Sequence, residues 1–437
     1  MRIVKKALSL MLTFCMVLSL AVNITAAEPA AKSGTSDELL KIVHLDAGRK
    51  YFDVDSIKEI IDTMSESGYN ALELAVGNDG MRFLLDDMRL IVGDQIYSSK
   101  DVKAAIQKGN REYANFETNE LTESEMDVII QYAAYKGISI IPLINTPGHM
   151  DAIIQAMNAL DINDASYYGS ARTLNIVNEA AVEFTQQLIK KYADYFSEKG
   201  STIFNIGCDE FANDIYSSQE GMGFGVLQEK GHYDVYIEYV NEIARIVKDS
   251  GMTPMAFNDG FYYGGVTDEG SFDTDIMIAY WTTGWGSNYL GVQSAASLSE
   301  KGHKIINTNS AWYYVLGATS GSFPLSHANY GVANTKYDDV PGENDPAITG
   351  SMICFWCDDP DVEYSQYRTN VNSLIQTFAE NNPELFENSL DSDLIEKTIT
   401  IVEAERNAFT DTAPGKRSAI DVDFHTELSN EKMTDCI

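Results

Sequence analysis

Two neighbouring carboxylates, Asp209 and Glu210, follow a short apolar run in the stretch FNIGCDEFAND, residues 204–214. A retaining glycosidase of the common type holds two carboxyl groups about 5 Å apart on opposite sides of a sugar, a geometry that adjacent residues rarely achieve. One carboxyl of such a pair can still serve as a general acid, while the other orients a substrate whose own 2-acetamido group is the nucleophile. The same pair is equally typical of a helix N-cap with an acid in the first turn.

Further polar and aromatic residues follow other apolar runs, and all four tryptophans of the chain come after the last three of these runs. Aromatic rings stack on the C–H faces of pyranoses, while carboxylates, amides and arginine bind sugar hydroxyls. A single tryptophan is as often part of a core as of a site, and a lone histidine such as His149 is more often structural, although its position in a loop also allows a role in a site. As a set, these residues predict a sugar pocket with the binding residues Arg49, His149, Asn258, Trp281, Trp285, Tyr313, Trp356 and Asp358.

No competing catalytic motif is present in the sequence. The chain has no Gly-x-Ser-x-Gly elbow and no His-Glu-x-x-His pair, and none of its six histidines has metal-ligand spacing. Cys354 and Cys357 have the C-x-x-C spacing without a second pair, so we expect two buried thiols, with a redox or metal site as the alternatives. The sequence therefore predicts neither a metal site nor a cofactor.

Eight short apolar runs alternate with amphipathic helical patterns, several of which end at a glycine. Runs that are apolar on both faces are typical of buried parallel strands. This alternation predicts an α/β fold, a (β/α)8 TIM barrel with a short C-terminal helical extension. An open doubly wound sheet is the alternative, disfavoured because no glycine-rich phosphate loop follows the first run. The runs are Lys41–Leu45, Ala71–Val76, Ile138–Ile144, Thr202–Ile206, Thr253–Phe257, Ile276–Tyr280, His303–Thr308 and Ser351–Phe355.

The ends of the chain differ from its middle. Residues 1–27 combine a basic start, an apolar stretch of about 16 residues and a small-residue cleavage site, which predicts a signal peptide rather than a membrane anchor. We expect a leader over 28–40, the barrel over 41–388, and a helix with a polar tail over 389–437. The predicted protein is bacterial, and secreted or associated with the cell surface. A net charge of −34 argues against nucleic acid as a partner.

Eight motifs extend in order from about His44 to Phe378: HLDAGRKYF, GNDGMRFLLDDM, IIPLINTPGHMDA, FNIGCDEFAND, PMAFNDGFYY, YWTTGW, NTNSAWYYVLG and SMICFWCDDP. Together they resemble glycoside hydrolase family 20, the β-N-acetylhexosaminidases. Within that family, the chain is most similar to the catalytic modules of streptococcal surface exo-β-N-acetylglucosaminidases. The resemblance implies a barrel that acts on terminal β-linked N-acetylhexosamine.

The resemblance also implies roles for individual residues. Glu210 would be the acid and base, and Asp209 would orient the acetamido group. Arg49 would bind the sugar hydroxyls at C3 and C4, and Asp358 would bind hydroxyls at C4 or C6. Trp281 and Trp356 would form the walls of the acetamido pocket, and Tyr313 would hydrogen-bond the acetamide oxygen. His149 would belong to a polar network that supports the acid. Three residues depart from the family pattern: Cys208 stands where glycine is frequent, Asn145 where aspartate is common, and Phe257 where many members have tryptophan.

The sequence thus predicts a secreted, exo-acting β-N-acetylglucosaminidase that works by substrate-assisted, retaining hydrolysis through an oxazolinium ion. The alternatives are a family 20 enzyme that prefers GalNAc or releases a disaccharide, as a lacto-N-biosidase does, and a non-catalytic glycan-binding barrel. A family 18 endo-acting enzyme is disfavoured, because IFNIGCDE lacks the earlier aspartates of the D-x-x-D-x-D-x-E pattern. Expected partners are glycans or glycoconjugates with terminal β-linked N-acetylhexosamine, without nucleic acid or membrane insertion. The sequence makes no prediction about oligomeric state.

Overall fold

The computed structural model describes residues 39–114, 119–217, 221–284, 291–344 and 347–386. The predicted signal peptide, nearly all of the predicted leader, the predicted C-terminal helix and tail, and Trp285 lie outside these residues. Among the described residues, no helix has both the length and the apolar character needed to cross a membrane.

Eight parallel strands form a closed barrel in sequence order. The first strand pairs with the second and with the eighth, so that His44 lies opposite both Glu73 and Cys354. This closure confirms the predicted (β/α)8 barrel and excludes the open sheet. All eight predicted strands are found, with ends within two residues of the expected positions. They are β1 Leu40–Asp46, β2 Ala71–Asn78, β3 Ser139–Thr146, β4 Ile203–Gly207, β5 Thr253–Phe257, β6 Met277–Tyr280, β7 Ile305–Asn307 and β8 Gly350–Trp356.

Amphipathic helices surround the strands. The first helix is defined by its cap and its apolar face. Asp53 caps it by accepting a hydrogen bond from the Ser56 amide, and its apolar residues at helical spacing are buried. Five helices end two residues before the glycines that marked their predicted ends. The helices are α1 Val54–Glu66, α2 Ser99–Tyr113, α3 Glu123–Tyr135, α4 Asp151–Ala159, α5 Glu179–Glu198, α6 Phe224–Lys230, α7 Tyr233–Asp249, α8 Ala295–Glu300, α9 Leu325–Asn334, α10 Arg368–Asn381 and α11 Pro383–Phe386.

Short strands and single helical turns lie in the loops between these elements. The pairs are Gly80–Met81 with β2, Phe83–Leu84 with Leu121–Thr122, Leu90–Val92 with Gln95–Tyr97, Tyr216–Ser217 with Gly221–Met222, and Tyr313–Val315 with β8. The 3₁₀ turns are Tyr167–Gly169, Tyr263–Gly265, Ser310–Trp312 and Tyr364–Gln366. The strand Tyr313–Val315 brings the loop after β7 against the end of β8, at the edge of the barrel where the site lies.

The core has an inner and an outer apolar layer, because side chains alternate across each strand. Cys354 points into the barrel while Cys357 packs in the outer layer, and both are buried free thiols, as predicted. Inside the barrel, the fully buried Glu73 accepts hydrogen bonds from His44 Nδ1 at 2.7 Å and from Asn205 Nδ2 at 2.9 Å. Asn205 in turn accepts from the amide of Gly207, so this polar core supports the end of β4.

Candidate active site

The carboxyl ends of the strands surround a cavity of about 150 Å³. Active sites of TIM barrels lie at this end of the fold. Charged groups and aromatic rings both line it, so the cavity combines groups for proton transfer with surfaces for an apolar ring face. The lining residues are Arg49, His149, Asp209, Glu210, Phe257, Trp281, Tyr313, Val315, Ser322, Phe323, Trp356 and Asp358.

The acidic pair lies in a strained turn after β4. Cys208, Glu210 and Ala212 have φ values of 70°, 49° and 48°, in the left-handed region that costs residues with side chains of order 1–3 kcal/mol each. No helix starts at the pair, since the next helix of the described chain, α6, begins at Phe224. The interpretation of the pair as a helix cap is therefore wrong. Strain of this kind concentrates at functional sites, where the surrounding structure holds it in place.

Two glycines allow the loop after β3 and the end of β4 to pack closely. A β-carbon on Gly207 would lie 1.9 Å from Oδ1 of Asn145, and one on Gly148 would lie 2.6 Å from the carbonyl oxygen of Asp209. Cys208 is fully buried beside them, and burial raises the pKa of its thiol well above the usual value. The thiol is therefore neutral, and the positive φ of this residue explains why glycine is frequent at the position.

The two carboxylates contact the same imidazole nitrogen. His149 Nε2 lies 3.5 Å from Oδ2 of Asp209 and 3.4 Å from Oε2 of Glu210. Asn145 Nδ2 also donates to Oδ1 of Asp209 at 2.7 Å, and Asn213 Nδ2 donates to Oε2 of Glu210 at 2.6 Å. Burial raises the pKa of Asp209. Burial acts the same way on Glu210, but the hydrogen bond and charge of His149 outweigh it and lower the pKa of this carboxyl.

His149 is the charged centre of the site. Burial alone would lower its pKa, but the carboxylates of Asp79 and Asp209 raise that pKa to about 10. The ring is therefore an imidazolium at neutral pH, with both nitrogens donating. Its Nδ1 donates to Oδ1 of Asp79 at 3.0 Å, since an imidazolium has no lone pair to accept from Arg49 Nη2 nearby. The ring is thus fixed with Nε2 towards the acidic pair.

Arg49 binds three carboxylates on the other side of the site. Its Nε donates to Asp79 at 2.7 Å, and its Nη1 lies 3.0 Å from Asp46 and 3.5 Å from Asp358. Burial opposes the charge, but these carboxylates outweigh it and raise the pKa of Arg49 well above its usual value. The carboxylate of Asp358 is half exposed at the rim, where it is free to accept from a ligand as well.

The aromatic side of the cavity is built from the loops after β6, β7 and β8. Trp281 and Tyr313 lie stacked, with an interplanar angle of 14° and centroids 6.0 Å apart, and Trp356 meets Tyr313 edge-on at 5.6 Å. The Trp356 indole nitrogen is buried without a hydrogen-bond partner among the described residues, whereas the Tyr313 hydroxyl is buried beside the side chains of Thr308 and Cys354. An unpaired N–H is costly to bury, so the Trp356 nitrogen is available to a ligand in the cavity.

The structure brings together most of the predicted site residues. Arg49, His149, Asp209, Glu210, Trp281, Tyr313, Trp356 and Asp358 all line the cavity. Asn258 does not reach it: the residue is fully buried, its Oδ1 accepts from the amide of Trp281, and its Nδ2 donates to the carbonyl of Thr282. Asn258 therefore positions Trp281. The predicted contact of Trp285 lies outside the described residues.

Several residues that build the site were not among the predicted ones. Phe257, Val315, Ser322 and Phe323 complete the cavity lining, and Asp79, Arg172, Asn213 and Asp259 lie behind it. Asp79 and Asp259 had a usable signal, because each directly follows a barrel strand and another polar residue. The loop residues lack such a signal. Among the described residues, no group of three His, Cys, Asp or Glu side chains could hold a metal ion.

Comparison with known proteins identifies the barrel. The family model for the catalytic domain of glycosyl hydrolase family 20 matches residues 41–359, which include every lining residue. A solved structure of the tandem family 20 catalytic modules of StrH, the pneumococcal exo-β-D-N-acetylglucosaminidase, is 39% identical with a TM-score of 0.75. That match covers 82% of this chain and 87% of the other.

More distant relatives agree on the family. The β-hexosaminidase of Vibrio vulnificus is 23% identical over 70% of this chain, and the lacto-N-biosidase of Bifidobacterium bifidum is 26% identical over 58%. The chain spans 37% and 22% of the lengths of these two proteins, respectively. With a catalytic-domain match over most of the chain and two adjacent carboxylates lining the pocket of a barrel, the chain belongs to glycoside hydrolase family 20.

Proposed function

We propose that this protein is an exo-acting β-N-acetylglucosaminidase, which removes terminal β-linked GlcNAc from glycans with retention of configuration. The name of the 39% identical pneumococcal relative supports the activity and the sugar. The cavity of about 150 Å³ is smaller than the roughly 300–1,000 Å³ of pockets that hold drug-sized ligands, which supports a site for one terminal sugar.

The observation that carries the proposal is the position of the acidic pair. Asp209 and Glu210 both contact Nε2 of His149, at 3.5 and 3.4 Å, so they lie on one wall and do not face each other across a sugar. The carboxylate of Asp358 also lines the cavity, but it pairs with Arg49, whose Nη1 lies 3.5 Å from Oδ1 of Asp358. We therefore infer a nucleophile from the substrate, which a 2-acetamido group supplies.

In the proposed reaction, Glu210 protonates the glycosidic oxygen while the acetamido carbonyl oxygen attacks C1. The bond between C1 and the leaving oxygen breaks, and an oxazolinium ion forms. Asp209 accepts the acetamido N–H and stabilises the positive charge that develops on this group. Tyr313, which lines the cavity, would donate its hydroxyl to the acetamido oxygen. Water then adds to C1 while the bond between C1 and the acetamido oxygen breaks, which restores the 2-acetamido group, and the water gives one proton to Glu210.

The proton states of the free site have to change for this reaction. In the free site, burial raises the pKa of Asp209 and His149 lowers that of Glu210, whereas the reaction needs an ionised Asp209 and a protonated Glu210. A bound sugar reverses this order. Its acetamido N–H stabilises the Asp209 carboxylate, which lowers that pKa, and the sugar excludes water from Glu210, which raises its pKa.

A second candidate is the release of a disaccharide. It is favoured only by the Bifidobacterium bifidum relative, named a lacto-N-biosidase. Product analysis separates the two, because the proposed enzyme yields free GlcNAc and the second candidate yields an intact disaccharide.

Hydrolysis of aryl β-GalNAc tests the preference at C4, where Arg49 and Asp358 would contact the hydroxyl. A non-catalytic barrel is disfavoured, since it has no need of both carboxylates.

We also propose that the protein is exported. The support is the basic and apolar pattern of residues 1–27, and detection of the protein in the culture medium or on the cell surface is the test. The charge of −34 further supports a partner without phosphate, so the proposed substrates are neutral glycans.

The enzymatic test is hydrolysis of aryl β-GlcNAc, with and without a GlcNAc-thiazoline inhibitor. We expect turnover that the thiazoline abolishes, because the inhibitor has the shape of the oxazolinium ion. A wild-type protein without turnover would contradict the activity. Turnover unaffected by the thiazoline would contradict the role of the substrate acetamido group.

A further inference from the structure

Arg172 and Asn213 form a pair beside the acidic wall. Arg172 Nη1 donates to Oδ1 of Asn213 at 3.1 Å. A guanidinium can only donate, so the oxygen of the Asn213 amide must face Arg172 and the nitrogen must face the other way. Asn213 Nδ2 then donates to Oε2 of Glu210 at 2.6 Å. The contact with Arg172 therefore determines which side of the Asn213 amide is oxygen and which is nitrogen, an assignment that is often ambiguous in structures.

The same oxygen of Glu210 faces a second donor. His149 Nε2 lies 3.4 Å from Oε2, whereas no hydrogen bond from the described residues reaches Oε1. With two donors directed at Oε2, a proton on that oxygen would displace a hydrogen bond and meet a positive charge. The proton that Glu210 transfers therefore belongs on Oε1.

Arg172 also holds the second donor in place. Its Nη2 donates to Oδ2 of Asp79 at 3.0 Å, and the other oxygen of Asp79 accepts from His149 Nδ1. One guanidinium thus fixes both groups that contact Oε2 of Glu210. We propose that Arg172 and Asn213 are positioning residues that reserve Oε1 of Glu210 for the catalytic proton. This inference rests on the proposed function of Glu210 as the acid.

The pair also affects how strongly Glu210 binds its proton. The charged groups that face Glu210 are the cations His149, Arg172 and Arg49 and the carboxyls Asp209 and Asp259. Asn213 stabilises the carboxylate form by donating to it. Loss of that donor favours the protonated form, so the pKa of Glu210 rises and the alkaline limb of the pH–rate profile moves to higher pH.

The test compares Asn213→Ala and Asn213→Asp with wild type and with Asn334→Ala. Asn334 is exposed on α9, so its variant controls for the substitution itself. Each protein is assayed on a series of aryl β-GlcNAc substrates across the pH range. We expect Asn213→Ala to lose about 10-fold or more in kcat/KM on poor leaving groups and less than about 3-fold on the best. Its alkaline limb should rise by on the order of one pH unit.

The aspartate variant should move the alkaline limb further, because a carboxylate beside Oε2 adds a like charge. A loss equal for all leaving groups, with an unmoved alkaline limb, would overturn the inference and leave only a structural role. An Asn213→Ala variant with the kcat/KM values and the pH–rate profile of wild type would overturn the inference as well. A crystal structure of Asn213→Ala gives a readout that does not depend on turnover: we expect a rotated Glu210 carboxyl, and the wild-type rotamer would count against the proposal. Wild-type inactivity, in contrast, contradicts the proposed function.

Discussion

Replacement of Asp79 by asparagine should remove the charge from His149. Asp79 is the strongest of the groups that raise the pKa of His149 to about 10. Asparagine suits the position, because φ is 52° there and asparagine tolerates the left-handed region better than most residues. The main-chain bonds of Asp79 to His149 and Ala152 do not involve the side chain and remain in the variant. The substitution therefore removes the negative charge beside His149, Arg49 and Arg172 while it keeps these main-chain bonds.

The expected effect is large. A rise from 6.5 to about 10 corresponds to roughly 5 kcal/mol of preference for the imidazolium in the folded protein, as an upper bound. Because the folded pKa lies above the unfolded one, this stabilisation is complete below pH 6.5 and is lost as the pH rises through about 10. In Asp79→Asn, burial is opposed only by Asp209 and Glu210, so the pKa of His149 should fall towards its ordinary value.

The assay is a ¹⁵N NMR titration of the histidine ring in wild type and in Asp79→Asn. Asp161→Asn is the matched control, since Asp161 is exposed and also has a positive φ, of 62°. In wild type and control, His149 should remain protonated up to a pH of about 10, whereas in Asp79→Asn it should titrate several units lower. Loss of the charged donor to Asp209 and Glu210 should also reduce kcat/KM roughly 10–100-fold, from about 1.5–3 kcal/mol per charged hydrogen bond. A wild-type His149 that titrates near 6.5, or an equal titration in both proteins, would refute this electrostatic account.

Three further substitutions test single contacts. Glu210→Gln should lose most activity on natural glycans but much less on aryl substrates with good leaving groups, measured as kcat/KM, and equal losses would argue against Glu210 as the acid. Tyr313→Phe should lower kcat/KM about 10-fold, because it removes the hydroxyl proposed to donate to the acetamido oxygen; an unchanged kcat/KM would contradict this role. Asn145→Asp replaces the donor to Asp209 with a carboxylate, so the pKa of Asp209 should rise and the acidic limb of kcat/KM should move to higher pH. An unmoved limb would show that Asp209 need not be ionised.

The barrel and its pocket could be predicted because both depend on local patterns. Buried parallel strands are continuously apolar, as in β3 and β8, and the closed barrel places the residues after every strand at one edge. Arg49 and Trp356 could therefore be expected in one pocket although they are far apart in the chain. The helix ends were predictable for the same reason, since a glycine after an amphipathic pattern marks the last turn.

The parts of the site that were missed depend on backbone conformations and contacts that no local pattern reveals. The two acids at Glu210 are typical of a helix start. The left-handed conformation of the turn is held by packing against Gly148 and Asn145 and by the hydrogen bond from the Glu210 amide to Asp259. Arg172 reaches Asn213 from a loop without periodicity. Asn258 follows a strand as a site residue would, but its amide satisfies main-chain groups beside Trp281 instead.

The central claim is that the substrate's acetamido group is the nucleophile, and a series of aryl GlcNAc substrates with increasingly fluorinated N-acetyl groups tests it most directly. Fluorine withdraws electrons from the carbonyl oxygen, so each added fluorine should weaken the attack on C1. We predict that kcat/KM falls steeply and progressively, by orders of magnitude from the acetyl to the trifluoroacetyl substrate. A rate independent of fluorination would contradict the claim and require a nucleophile from the enzyme.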